Sequence, residues 1–287
     1  MTELPLLVGV DGSAAGLRAV DWAVDAAARH GVPLRLLHAA TEWTADGPGP
    51  EDLMAAATER AHQRNPEVRL TTGILAEDPA TALVHAGRNA LALVVGARGR
   101  GRIAGLLLGS VGLAVAGRAD CPVVVVRGGD AARRGEHGRI VLGVGDATGD
   151  TAGDAAGGAP TVRFAFREAA ARRCALHAVR TWRRPVHEAR SHPLVRGSPE
   201  HARHRQALDH LDDVLRATAR EHTGIDLRLQ AVEGPARVVL LEKSRSADLL
   251  VVGAHRRREH FGLQLGMVGH TVLHHADCPV ALVPEHI

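Results

Sequence analysis

Tyrosine is absent from the 287-residue chain, and aromatic residues make up only 2% of it. Aromatic platforms for stacking bases are therefore not expected. Lysine occurs once, at Lys243, so arginine carries the basic charge, and the formal net charge is only +3. That excess is too small to mark a nucleic-acid binder by electrostatics. The single lysine, in the sequence LEKS, follows no glycine, which excludes a Walker A phosphate loop. Cys121, Cys174 and Cys278 are scattered without a CxxC spacing, which argues against a zinc or redox pair and fits a reducing compartment. The longest uncharged run, Ile103 to Gly117, is 15 residues, short of the ~18–20 that span a bilayer. The opening MTELPLLVGVDGS lacks a basic n-region and reads as a buried strand. The expectation is a cytoplasmic chain of about two domains with no membrane or nucleic-acid partner.

What the chain has is aliphatic residues in a repeated order. LALVVG at 91–96 returns as DLLVVG at 248–253, and ADCPV at 119–123 returns at 276–280, both 157 residues on. LVGV at 7–10 matches VLGV at 141–144, and LHAATEW at 37–43 matches LHAVRTW at 176–182. The smaller offsets place insertions in the second copy, in the loop-like stretches Asp146–Pro160 and Val186–His204. The expected domains are 1–128 and 138–287, linked by Arg127–Gly138.

Within the first copy, short aliphatic runs alternate with helical periodicity. Strands are expected at Leu6–Val10, Leu34–Ala39, Val68–Gly73, Leu91–Gly96 and Val123–Val126. Helices are expected at Ala14–His30, Glu51–Arg64, Pro79–Asn89 and Leu108–Arg118. Continuous runs such as VVVV with crossover helices imply an α/β fold of two doubly wound domains, each a five-stranded parallel sheet with helices on both faces. Pro122 and Pro279, at strand starts, suit edge strands. Ligands of such sheets lie beyond the carboxyl ends of the strands, where the chain order reverses.

After the fourth strand comes Gly96-Ala97-Arg98-Gly99, then nine residues, then Gly109-Ser110 opening a helix. Glycines let backbone amides approach a phosphate, and a helix N-terminus favours the anion. After the first strand comes Asp11-Gly12-Ser13. Its carboxylate suits a ribose or base, while the alternative reading makes Ser13 a helix cap.

These features resemble the universal stress protein family: G-x2-G-x9-G-S after an aliphatic strand, an aspartate ending the first strand, and a closing CPVVVV strand. The resemblance covers two tandem copies, from about Leu4 to Val283. It implies the family's ATP-binding subtype in the first copy, with ATP, accompanied by Mg²⁺, at the switch point. Carried over, it implicates Asp11 with its neighbours Gly12 and Ser13, the main chain of Ala39, and Gly96, Gly99, Gly109, Ser110 and Val111. Arg98, Arg100 and Arg102 are phosphate partners by charge, with a solvated loop as the alternative. The family's closing strands pair between domains, which implies a pseudo-dimer within the chain, and further self-association into a homo-oligomer is consistent with it.

The second copy departs from this pattern. Arg256 replaces the second glycine, Met267 replaces the serine, and Gly145 stands at the position of Asp11 with Asp146 one residue on, so this copy is expected to be a structural one that binds weakly or not at all. Three function classes follow: a nucleotide-binding regulatory module for stress response, a slow ATP-hydrolysing or nucleotide-transferring enzyme, and a nucleotide-free interaction module. No catalytic residue is assigned. Gly99-x-Gly101-x-x-Ala104 matches a dinucleotide fingerprint, but Asp120 precedes its strand rather than ending it, at the wrong edge of the sheet. His270, His274 and His275 lack the spacing of a metal site, so no metal ligand is assigned in the protein.

Overall fold

The computed structural model describes residues 3–42, 49–97, 99, 108–145, 158–183, 199–255 and 265–285. The first half runs β1 (Leu6–Gly9), α1 (Ala14–His30), β2 (Leu34–Ala39), α2 (Pro50–Arg64), β3 (Leu70–Leu75), α3 (Pro79–Gly87), β4 (Ala92–Gly96), α4 (Ser110–Arg118) and β5 (Val123–Val126). A short α5 (Asp130–Arg134) follows, inside the expected linker. The second half runs β6 (Arg139–Gly143), α6 (Ala159–Arg172), β7 (Ala175–Trp182), α7 (Pro199–Glu221), β8 (Leu227–Glu233), α8 (Ala236–Ser244), β9 (Leu249–His255), α9 (Met267–His275) and β10 (Val280–Glu285).

Local chemistry sets several of these boundaries. Ser13 caps α1 by accepting from the Gly16 amide at 3.0 Å, and Gly31 ends it in the left-handed region. The third strand starts two residues later than expected because Asn65 ends α2 in a turn. Its side chain accepts from the Glu67 amide at 3.0 Å and its carbonyl from the Val68 amide, which keeps Val68 out of the ladder. Pro160 and residues from Pro199 onward, expected in loops, open α6 and α7 instead. Proline suits a first turn because its missing N–H has no intrahelical partner there.

All ten strands form one sheet in the order β3-β2-β1-β4-β5-β10-β9-β6-β7-β8. Each half is parallel within itself, and the halves meet where β5 and β10 pair antiparallel, Val124 facing Ala281. Pro122 and Pro279 therefore precede central strands, not edges. Neither needs to donate, and their carbonyls accept from Leu93 and Leu250 at 2.8 and 2.9 Å. One core layer packs α1, α2, α6 and α7 on one face, and a second packs α3, α4, α8 and α9 on the other. Both layers run across the junction, so the two halves share their apolar cores.

The register corrects one sequence match. Leu7 pairs with Arg35 in the first half and Val141 with His177 in the second, so Arg35 corresponds to His177 and Leu34 to Leu176. The LHA motifs are thus three positions out of phase. Leu37 accordingly packs in one core layer and Leu176 in the other.

Candidate functional site

The strand order places the first switch point between β1 and β4. Gly12, at φ +73, turns the chain after β1. Asp11 Oδ1 then accepts from the Ser13 amide at 2.9 Å and from its hydroxyl at 2.7 Å. Ser13 is thus a helix cap, as its alternative reading has it, and Asp11 holds that cap. The other carboxylate oxygen faces Gly99, where an added Cβ would lie 2.9 Å from Oδ2. The structure brings Asp11 and Gly99 together from opposite sides of the switch point.

Gly96 has a packing reason of its own. A Cβ there would lie 2.6 Å from the Ala15 carbonyl carbon and 2.8 Å from the Gly16 nitrogen, so the first turn of α1 rests on the end of β4. Beyond it the chain is closed by the Gly109 amide, which donates to the Ala97 carbonyl at 2.9 Å. Gly109 is the N-cap of α4 and carries no side chain to satisfy the first turn. Ser110 is exposed and Val111 half-buried. Among the described residues no side chain caps the first amides of α4, whereas Ser13 caps α1. Arg98, Arg100 and Arg102 lie outside the described residues.

Ala39 ends β2 with its side chain buried. Beside it stands a residue that the motifs do not reveal. His38 is buried, and its Nδ1–H donates to the Val10 carbonyl at 2.6 Å, tying the end of β2 to the residue before Asp11. Its only signal in the sequence is a polar side chain between the apolar Leu37 and Ala39. Among the described residues no group of three or more His, Cys, Asp or Glu is placed to hold a metal ion. A Mg²⁺ here would be carried by the phosphates of a nucleotide.

Residues 4–127 and 151–284 both match the model of the universal stress protein family. The chain belongs to that family. Universal stress protein Rv2005c of Mycobacterium tuberculosis is 30% identical over 303 residues, covering 98% of this chain and 97% of the relative. A universal stress protein of Mycolicibacterium smegmatis is 29% identical over 300 residues, covering 98% and 97%. In structure, a universal stress protein from Archaeoglobus fulgidus superposes with a TM-score of 0.65 at 16% identity, over the whole of both chains. That likeness shows the tandem α/β fold.

The second universal stress half is built differently at its switch point, between β6 and β9. Gly145, at the position of Asp11, offers no carboxylate, and Arg180 donates to its carbonyl at 2.6 Å. Gly253, the counterpart of Gly96, has a different nearest neighbour. A Cβ there would lie 2.5 Å from Cδ of Glu285, which is only 5% exposed and accepts from the Thr161 hydroxyl at 2.7 Å. Against this glycine the nearest group is thus a buried carboxyl, where against Gly96 it is the backbone of Ala15 and Gly16. Gly266 caps α9 as Gly109 caps α4, but Met267 follows it, 69% exposed. Arg256 lies outside the described residues. Neither Glu285 nor Thr161 belongs to a motif, and their meeting across 124 residues leaves no local signal.

Proposed function

We propose that the first half binds an adenine nucleotide, ATP, as a regulatory module of stress response, and that the second half is a structural copy. The observation that carries this reading is the N-terminus of α4, which no side chain among the described residues caps and which the Gly109–Ala97 hydrogen bond ties to the end of β4, whose following Gly99 faces Asp11. Amides at Gly109, Ser110 and Val111 would hold phosphate oxygens. The Asp11 oxygen facing Gly99 would accept from a ribose, and the Ala39 main chain would border the base. The second half opposes the same ligand with the Glu285 carboxylate and lacks both the aspartate and the serine.

One observation favours a nucleotide-free interaction module instead: the packing of α1 accounts for Gly96 without any ligand. Nucleotide released from denatured, freshly purified protein, together with calorimetric titration of ATP, separates the two. About one ATP per chain, lost in Gly109→Asp, is expected of a single site ending at a helix N-terminus. Absence of ATP in both experiments leaves the interaction module, and two equivalents overturn the silent second half.

A further inference from the structure

Between the halves, on the face away from α3, α4, α8 and α9, α1 meets α6 through side chains whose charges do not balance. Glu168 is buried, its side chain 5% exposed. The His30 Nε2–H donates to its Oε1 at 2.7 Å, and Arg172 Nε donates to its Oε2 at 3.2 Å. The Arg172 guanidinium lies over the Trp22 ring, 5.2 Å from its centre, and Arg167 lies over Phe164 at 5.3 Å. Burial and the like charge of Arg172 push Arg29 down to about 10, against the opposing pull of Glu168 and Asp25. Asp25 is itself taken by both arms of Arg64, at 2.7 and 2.6 Å. Among the described residues, Glu168 is therefore in contact with Arg172 and His30 alone, while Arg29 and Arg167 feel its charge only at longer range.

Their hydrogen bonds are as incomplete as their charge. Among the described residues, Arg29 Nε, Arg167 Nε and Arg172 Nη2 are buried without an acceptor. The Arg172 side chain is only 6% exposed. Arginine cannot shed its proton near neutral pH, so burial does not resolve the excess by neutralisation. Arg29 and Arg172 stand in the last turns of their helices, where the dipole ends offset part of the charge. That field supplies no acceptor to the three orphaned N–H groups, and a buried charge left unpaired is costly.

We propose that this junction is a binding site for a small inorganic oxyanion, phosphate or sulfate, held by Arg29 and Arg172 with Arg167 and His30 beside them. A tetrahedral oxyanion presents several acceptors at once, which suits guanidiniums approaching from two helices. Bound there, it bridges the two halves at a point remote in sequence from the glycine loop of the first switch point.

The test is the unfolding midpoint of the full chain, free of nucleotide, titrated with phosphate and with sulfate at constant ionic strength. The Gly109→Asp variant is titrated in parallel, so that phosphate at α4 is not mistaken for phosphate at the junction. Wild type and Gly109→Asp are both expected to rise in midpoint. Arg29→Gln is expected to need about tenfold more anion, the loss of one charge-assisted hydrogen bond. Arg228→Gln, which removes an exposed arginine paired with Asp226, is expected to respond as wild type. Arg29→Lys keeps the charge and serves if Arg29→Gln does not fold, with a weakened response expected. No response in Gly109→Asp, an unchanged response in the Arg29 variant that folds, or an equal response to chloride overturns the proposal.

Discussion

At the first switch point the turn that opens α1 lies against Gly96, and at the second the Glu285 carboxylate lies against Gly253. The two glycines occupy matching places on β4 and β9, and both keep their side chain absent for a neighbour's sake. What differs is the neighbour. In the first half it is backbone, with the carboxylate of Asp11 turned toward Gly99 and no described side chain capping α4. In the second it is a buried carboxyl group that accepts from Thr161, with α6 beginning at Ala159. The comparison shows that a repeat can preserve a glycine while exchanging the reason for it, so a motif glycine alone does not identify a ligand site.

The largest expected effect lies where the halves touch and their equivalence fails. The helix ends at Gly31 and Arg173 are matched, each bonding back in the same way, so Glu168 stands where α1 has Ala26, and Arg172 where it has His30. Glu168→Gln leaves His30 and Arg172 buried against a neutral amide and is expected to destabilise the chain by about 3–5 kcal/mol. Burial pushes the Glu168 carboxyl up, but the His30 hydrogen bond and the charge of Arg172 pull harder and hold it at about 2, below its ordinary 4.5. A carboxyl lowered on folding stabilises the folded form fully above its unfolded value. That contribution is lost as the pH falls from 4.5 toward 2. Denaturant unfolding followed down through this window should show a steep acid limb in wild type and a flatter one in Glu168→Gln.

A smaller pair of effects tests the two glycines directly. Gly96→Ala drives a Cβ into the backbone of Ala15 and Gly16, which cannot yield without shifting α1, and should cost about 3 kcal/mol. Gly253→Ala meets a side chain that can rotate, and should cost about 1 kcal/mol. Equal losses in the two unfolding curves would mean that Glu285 is as fixed as a helix turn. For the ligand, Gly109→Asp should abolish ATP binding in calorimetry, whereas Gly266→Asp should leave it unchanged. A loss in Gly266→Asp would move the site to the second half.

The elements read most sharply from the sequence are those whose ends are set by adjacent residues. α1 runs from Ala14 to His30 as expected, because Ser13 and Gly31 are local signals, and β2 and β5 fall on their aliphatic runs. Asn65 defeats the reading of β3 because a turn formed by its own side chain overrides the apolar character of Val68. The LHA match misleads because three identical letters carry no information about strand parity, which only the ladder reveals. At the site, Asp11, Gly99 and Gly109 were legible as a spacing pattern. His38, Thr161 and Glu285 were not, since each acts through a partner distant in sequence.

The smallest effect comes from the one position where the halves share a conformation but not a residue type suited to it. Gly31 caps α1 at φ +67, and Arg173 caps α6 at φ +51 and ψ +47, the only non-glycine among the described residues with positive φ. The left-handed region places an ordinary side chain's Cβ close to the following carbonyl, a strain of roughly 1–2 kcal/mol that glycine avoids. Glycine also gains freedom in the unfolded chain, which gives back part of the benefit. Arg173→Gly should therefore stabilise the second half by about 0.5–1 kcal/mol, and Gly31→Ala should destabilise the first by about 1 kcal/mol. Arg173 is exposed and makes no hydrogen bond to the Glu168 cluster, so the gain should persist at high salt. A loss of stability in Arg173→Gly at any salt concentration would mean that this side chain, rather than the backbone turn, is what ends α6.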